Sequence, residues 1–285
     1  MDSFKSAKRG GFIYTATLLL FLAVSLIGKT ILNAAAINGT VYYAVSSLFS
    51  VAVLIVAVIF GGGKSIKSLF LNGFSYKHIL FALFLAFGMF MGLGFINLAI
   101  EKVIIKIGGV VPSVSIPLEN AWQFVLFSVL LCLFPAFFEE SFFRGVLLNG
   151  VNGSCKTRGV FTVALCFALF HLSAVQFIYQ FIYGVGLAVL TLKAKSVIPA
   201  VIAHFINNFI ILTVEFFSIS VNLFDPFIIA AGIVLLGVFT LFMFFPRENK
   251  TAEQSRTGIS AFYLPFGALG IAAAVFIIVM STLPL

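Results

Sequence analysis

The run VYYAVSSLFSVAVLIVAVIF, residues 41–60, contains no charged side chain. As a helix it would rise about 30 Å, the thickness of the hydrocarbon core of a bilayer. The stretches Ile79 to Ile100 and Asp225 to Pro246 repeat this character, with Asp225 as their single charge. Across the chain 62% of residues are hydrophobic and 9% are charged, with a mean hydropathy of +1.20, whereas an average soluble domain is roughly 25% charged. A water-soluble fold cannot hide that much apolar surface, so these runs read as membrane spans. The expected fold is an all-α polytopic membrane protein.

Working outward, the hydropathy pattern gives spans at about 12–34, 41–60, 79–100, 121–148, 159–174, 175–192, 197–217, 225–246 and 262–284. Nine is the expected count, within a bundle of about eight to nine transmembrane helices. The junction from Leu172 to Gln176 lacks a polar loop, so eight or seven spans are the alternatives. The first apolar run follows Lys5, Lys8 and Arg9, as a cleaved leader would. It continues past Lys29 to Ile37, however, and Ala34 to Ala36 make a weak cleavage site, so an uncleaved first helix is expected.

The loops sort by charge. Lys5, Lys8 and Arg9; Lys64, Lys67 and Lys77; Lys156 and Arg158; Lys193 and Lys195; and Arg247, Lys250 and Arg256 fall on one side. The other side holds Lys102 and Lys106, with Lys29 near a helix end, beside Glu101, Glu119 and Asp225. The positive-inside rule then places the N-terminus in the cytoplasm and, for nine spans, the C-terminus outside. The compact loops suggest a bacterial plasma membrane and a single membrane domain over residues 1–285. The net charge of +8 reports this topology rather than nucleic-acid binding, since no polar domain exists to carry a basic face. Segment 101–120, with Gly108, Gly109, Pro112 and Pro117, reads as an irregular outer cap. Gly88 and Gly92 form a GxxxG packing element. Cys132, Cys155 and Cys166 show neither metal-type spacing nor a disulfide framework.

Charged groups inside spans are costly and mark function. Here they concentrate. The fourth span carries Glu139, Glu140 and Arg144, the fifth ends at His171, and the seventh holds His204 and Asn208. Glu140 and Arg144, at i and i+4, suit an ion pair. Glu139 is turned about 100° from Glu140 and is left free for chemistry. His204 and Asn208 share a helix face by the same spacing. Measured from the inner loops, Glu139 should lie roughly 15 Å deep, His171 roughly 18 Å, His204 roughly 10–12 Å and Asn208 roughly 16–18 Å. Glu215, close to the outer end of the seventh span, is left outside this set. A carboxylate with two imidazoles can activate water, and a His with an Asn amide can donate to an oxyanion. The plainer alternative is a buried ion-pair network that only ties helices together.

The patterns EExxxR at Glu139, Glu140 and Arg144, FxxxH at Phe167 and His171, and HxxxN at His204 and Asn208 resemble the three motifs of the CAAX-prenyl-protease and bacteriocin-processing membrane endopeptidases, the CPBP or Abi family. The resemblance covers residues 121–217, which would form the catalytic core. It implies a glutamate-dependent intramembrane endopeptidase with a catalytic cavity open to the cytoplasm. Glu139 with His171 would activate water, His204 and Asn208 would form an oxyanion hole, Glu140 and Arg144 would position the site, and Phe167 would pack beside His171. The expected partners are a peptide or lipidated protein substrate and the lipid bilayer, with no nucleic acid.

Two rival readings remain at this level. Glu139, His171 and His204 amount to a His₂Glu zinc set, although Asn208 suits an oxyanion better than a metal, so no cofactor is expected and zinc is the alternative. A proton-coupled transporter could use the same groups as a relay, but the chain shows no internal repeat of the kind many transporters have. HExxH, GxGD and GxSG motifs are absent from the spans. Cys166 lies about 140° around its helix from His171, which disfavours a cysteine nucleophile.

Overall fold

The computed structural model describes residues 2–112, 116–152, 156–244 and 262–283. Among these the chain forms nine helical rods: α1 (Asp2–Ala34), α2 (Gly39–Leu71), α3 (Tyr76–Lys106), α4 (Ala121–Val151), α5 (Lys156–Phe170), α6 (Phe177–Ala194), α7 (Ile198–Phe216), α8 (Pro226–Phe244) and α9 (Ala268–Thr282, preceded by the π-turn Tyr263–Gly267). Seven of them are long and apolar enough to cross a membrane; the apolar helices Thr157–Phe170 and Ala268–Thr282 are shorter. The protein is a polytopic bundle of membrane helices, with nine rods where nine spans were expected and seven at full spanning length. Arg247, Lys250, Arg256 and Cys155 lie outside the described residues.

Local chemistry explains several boundaries. Ser75 and His78 form a reciprocal capping box at the start of α3, so the chain's third histidine serves a helix end. Asn120 and Gln123 do the same for α4, and the Gln123 amide also donates to Thr40 Oγ1 at 2.8 Å, tying α4 to the start of α2. The α3 helix runs on through Glu101 to Lys106, so the irregular segment begins only at Ile107, where Gly108 takes φ +83°. The weakly marked junction after α5 is a real break. Helix α5 stops at Phe170, and Leu172 adopts φ +50° before α6 begins at Phe177.

The GxxxG element packs as expected, and its partner is α8. A Cβ on Gly92 would lie 2.9 Å from the Gly232 carbonyl carbon, and one on Gly88 would lie 2.9 Å from Leu236. Such close approach is what small residues provide where no water-driven force brings helices together.

Helix α4 carries the site and is not uniform. Ser128–Leu133 and Ser141–Leu148 are π-helical, on either side of the α-turns Phe134–Glu140. Pro135 lacks an N–H, so the α-helical donor for the Leu131 carbonyl is missing. A widened turn at that point rearranges the backbone bonding, and π-turns of this kind are common at functional positions.

Candidate active site

The centre of the site is Arg144, wholly enclosed by protein. Its Nη1 donates to Glu140 Oε1 at 2.8 Å, with both side chains at 0% exposure, and its Nη2 donates to the Gly184 carbonyl of α6 at 3.1 Å. The guanidinium also lies 4.4 Å from the ring centroid of Phe167, a cation–π contact. Gly184 makes this approach possible, since a Cβ there would stand 3.1 Å from Ala164 Cα and 3.2 Å from Phe167. The ion pair read from the i, i+4 spacing is present, held from a second helix and roofed by an aromatic ring.

Glu140 also reaches across the bundle. His204 Nδ1 lies 2.9 Å from the same Oε1 that accepts Arg144, which brings α7 to α4. The His204 ring packs edge-on against Phe167 at 5.7 Å and Tyr183 at 6.1 Å. Phe167 further contacts the His171 ring at 4.8 Å and Phe143 at 5.2 Å. This one phenylalanine thus touches Arg144, His171 and His204 together, a wider role than packing beside His171 alone.

His171 follows the last residue of α5, where helix carbonyls lack intrahelical donors. Its Nδ1 lies 2.9 Å from the Phe167 carbonyl oxygen. A carbonyl can only accept, so Nδ1 carries the proton and a neutral ring leaves Nε2 as an acceptor. Glu139 and His171 line one cavity of about 240 Å³, with Leu131, Pro135 and Phe170 among its walls. One oxygen of Glu139, Oε2, is buried and has no hydrogen-bond partner among the described residues. Buried polar atoms are rarely left this way, and at this site Glu140 Oε2, Arg144 Nε and the Tyr183 hydroxyl share the condition. Glu139 thus lines the cavity while Glu140 holds Arg144, as the helical period between adjacent residues predicts.

Asn208 stands elsewhere. It lines a second cavity of about 460 Å³ together with Gln176, Ile211 and Glu215, and its Nδ2 makes a long 3.5 Å hydrogen bond to the Leu131 carbonyl. Leu131 borders both cavities. The four polar groups expected near one level are thus distributed: Glu139 and His171 in one cavity, Asn208 across Leu131 in the next, and His204 buried against Glu140. Gln176 lies in the turn before α6 and Glu215 in the last turn of α7, so the second cavity sits toward the end of the bundle away from Lys193 and Lys195.

Sequence reasoning missed Gly184, Tyr183 and the pair Tyr179–Asn207. The Tyr179 hydroxyl donates to Asn207 Oδ1 at 2.6 Å, with both residues almost fully buried. This bond fixes the rotation of α7 relative to α6 one residue before Asn208. Its only sequence signal was an amide next to Asn208 in an apolar span. As for a metal, no three His, Cys, Asp or Glu side chains among the described residues are placed to share an ion. His204 Nδ1 is engaged by Glu140, which leaves only its Nε2 for any other partner.

The Glu140–Arg144 pair yields a direct prediction. Glu140→Gln leaves a fully buried guanidinium without its counter-charge, which is expected to destabilise the protein by about 3–5 kcal/mol. Thermal unfolding in detergent checks this, with Glu101→Gln as the control at a partly exposed carboxylate.

Together the rods and these contacts define a class: a polytopic membrane protein that gathers carboxylates, imidazoles and amides in the interior of a helical bundle. Residues 121–210 match the family model described as Rce1-like, type II CAAX prenyl endopeptidase Rce1-like. The match runs from the start of α4 into α7 and contains all three motifs, in agreement with the family resemblance drawn from them. No curated protein and no solved structure matches the chain.

Proposed function

We propose that the protein is an intramembrane endopeptidase that hydrolyses peptide bonds of membrane-associated substrates without a metal. The observation that carries this reading is the Glu139 carboxylate, with a buried, unpartnered oxygen, lining one cavity with His171. The Rce1-like match over the same helices supports it. A CAAX-like tail, a leader peptide or another lipidated protein segment would present the extended strand such a site needs.

In this mechanism Glu139 takes a proton from water as the hydroxyl adds to the scissile carbonyl carbon, and His171 Nε2 accepts a hydrogen bond that orients the water. The proton is then delivered to the leaving amine as the C–N bond breaks. With the scissile carbonyl seated at Leu131, which borders both cavities, the developing oxyanion is met by the Asn208 amide and by His204. Because Nδ1 of His204 is bonded to Glu140, only an Nε2–H can serve that purpose, which is the doubly protonated ring. Glu140, Arg144 and Phe167 act by holding His204 and His171 in place.

Purified protein in nanodiscs should cleave a membrane-anchored reporter peptide, and thorough chelation should leave that rate unchanged. A catalytic zinc would be lost to a strong chelator and restored by added metal, and that result would overturn the metal-free mechanism. Protein that cleaves no peptide but moves protons or solute across liposomes through Glu139 would establish the transporter instead. The orientation, with the N-terminus in the cytoplasm, rests on loop charge. Reporters inserted beside Lys195 and Asn222 are expected to read cytoplasmic and external respectively, and two readings on one side would reverse or break the topology.

A further inference from the structure

Glu215 was set apart from the site by its position near a helix end, yet it shares a cavity with Asn208. It lies seven residues beyond Asn208 on α7, two helical turns along one face, about 10 Å of rise. Ile211 and Leu212 fill the turn between them and line the same cavity, with Ile116 opposite and the Gln176 amide also present. Glu215 is the one charged residue of this lining. Its side chain is exposed and enters no hydrogen bond or ion pair with another described residue.

Glu215 occupies the last turn of α7, where the negative end of the helix dipole repels a carboxylate and favours a cation. The helix end and the carboxylate therefore attract positive charge at the same point, above apolar walls that suit an alkyl stem. Long cationic side chains have this shape, an apolar stem with a charged head.

We infer that this cavity is a substrate subsite that takes a lysine or arginine side chain of the peptide, with Glu215 as its specificity-determining residue. The inference rests on the endopeptidase reading above. A carbonyl presented to Asn208 sets the register, and about 10 Å of extended chain spans about three residues. The cationic residue accordingly lies two or three positions from the scissile bond.

The test uses full-length protein in nanodiscs and three peptides identical except for Lys, Leu or Glu at the third position from the cleaved bond on either side. The expected kcat/KM order is Lys, Leu, Glu, with about a 10-fold spread between Lys and Glu, the scale of a partly screened charge pair. Glu215→Gln should shrink that ratio toward one and Glu215→Lys should invert it, while the control Glu101→Gln keeps it. Cleavage of all three peptides at equal rates by the unaltered protein, or a Lys preference that survives Glu215→Gln, overturns the subsite while leaving the endopeptidase standing. Failure to cleave any of the three refutes the endopeptidase reading and, with it, this subsite.

Discussion

Glu139→Gln is expected to lower peptide turnover by about 10²–10⁴-fold, the usual contribution of a general base, with the unfolding temperature close to that of the unaltered protein. The substitution keeps the shape and hydrogen-bonding capacity of the side chain but removes its basicity. Glu139 is half-buried, lines the cavity and has an oxygen without a described partner, so little of the fold rests on its charge. Glu140 is the opposite case, since it anchors Arg144 and His204 together. The paired measurements of turnover and unfolding therefore separate adjacent carboxylates. Near-normal turnover in Glu139→Gln would remove that residue from the mechanism.

Asn208→Ala is expected to reduce kcat by about 10²–10³-fold with little change in KM, because an oxyanion donor acts on charge that develops in the transition state. The ground-state partner of its amide is weak, a 3.5 Å contact to the Leu131 carbonyl. Exchanging that partner for an oxyanion would sacrifice little. Steady-state kinetics on the reporter peptide decide the matter. A raised KM with unchanged kcat would make Asn208 a substrate-binding group and leave the oxyanion without this donor.

The sequence alone determined the class of protein and supplied the residues proposed for its site. Uncharged runs of membrane-spanning length leave helices as the only economical way to satisfy their backbone groups in lipid, and the spacing of Glu140 and Arg144 places them on one face whatever surrounds them. The three motifs, likewise, could be read without any contact being known. Local geometry even foretold that Glu139 would diverge from Glu140.

What only the tertiary structure decided is which faces meet. A span that is apolar on every side carries no pattern to distinguish a lipid-facing stripe from a packed one, so the partners of α4 could not be read from hydropathy. The contact of His204 with Glu140 joins residues on α7 and α4, and the Gly184 carbonyl that accepts Arg144 comes from α6. Leu131, in the π-turn beside Pro135, borders both cavities, and depth along each helix gave no sign of this division. Glu215, judged peripheral from its distance along the span, joins the Asn208 cavity because two helical turns return it to the same face. Local spacing fixes direction within one helix, whereas packing between helices sets which of those directions converge.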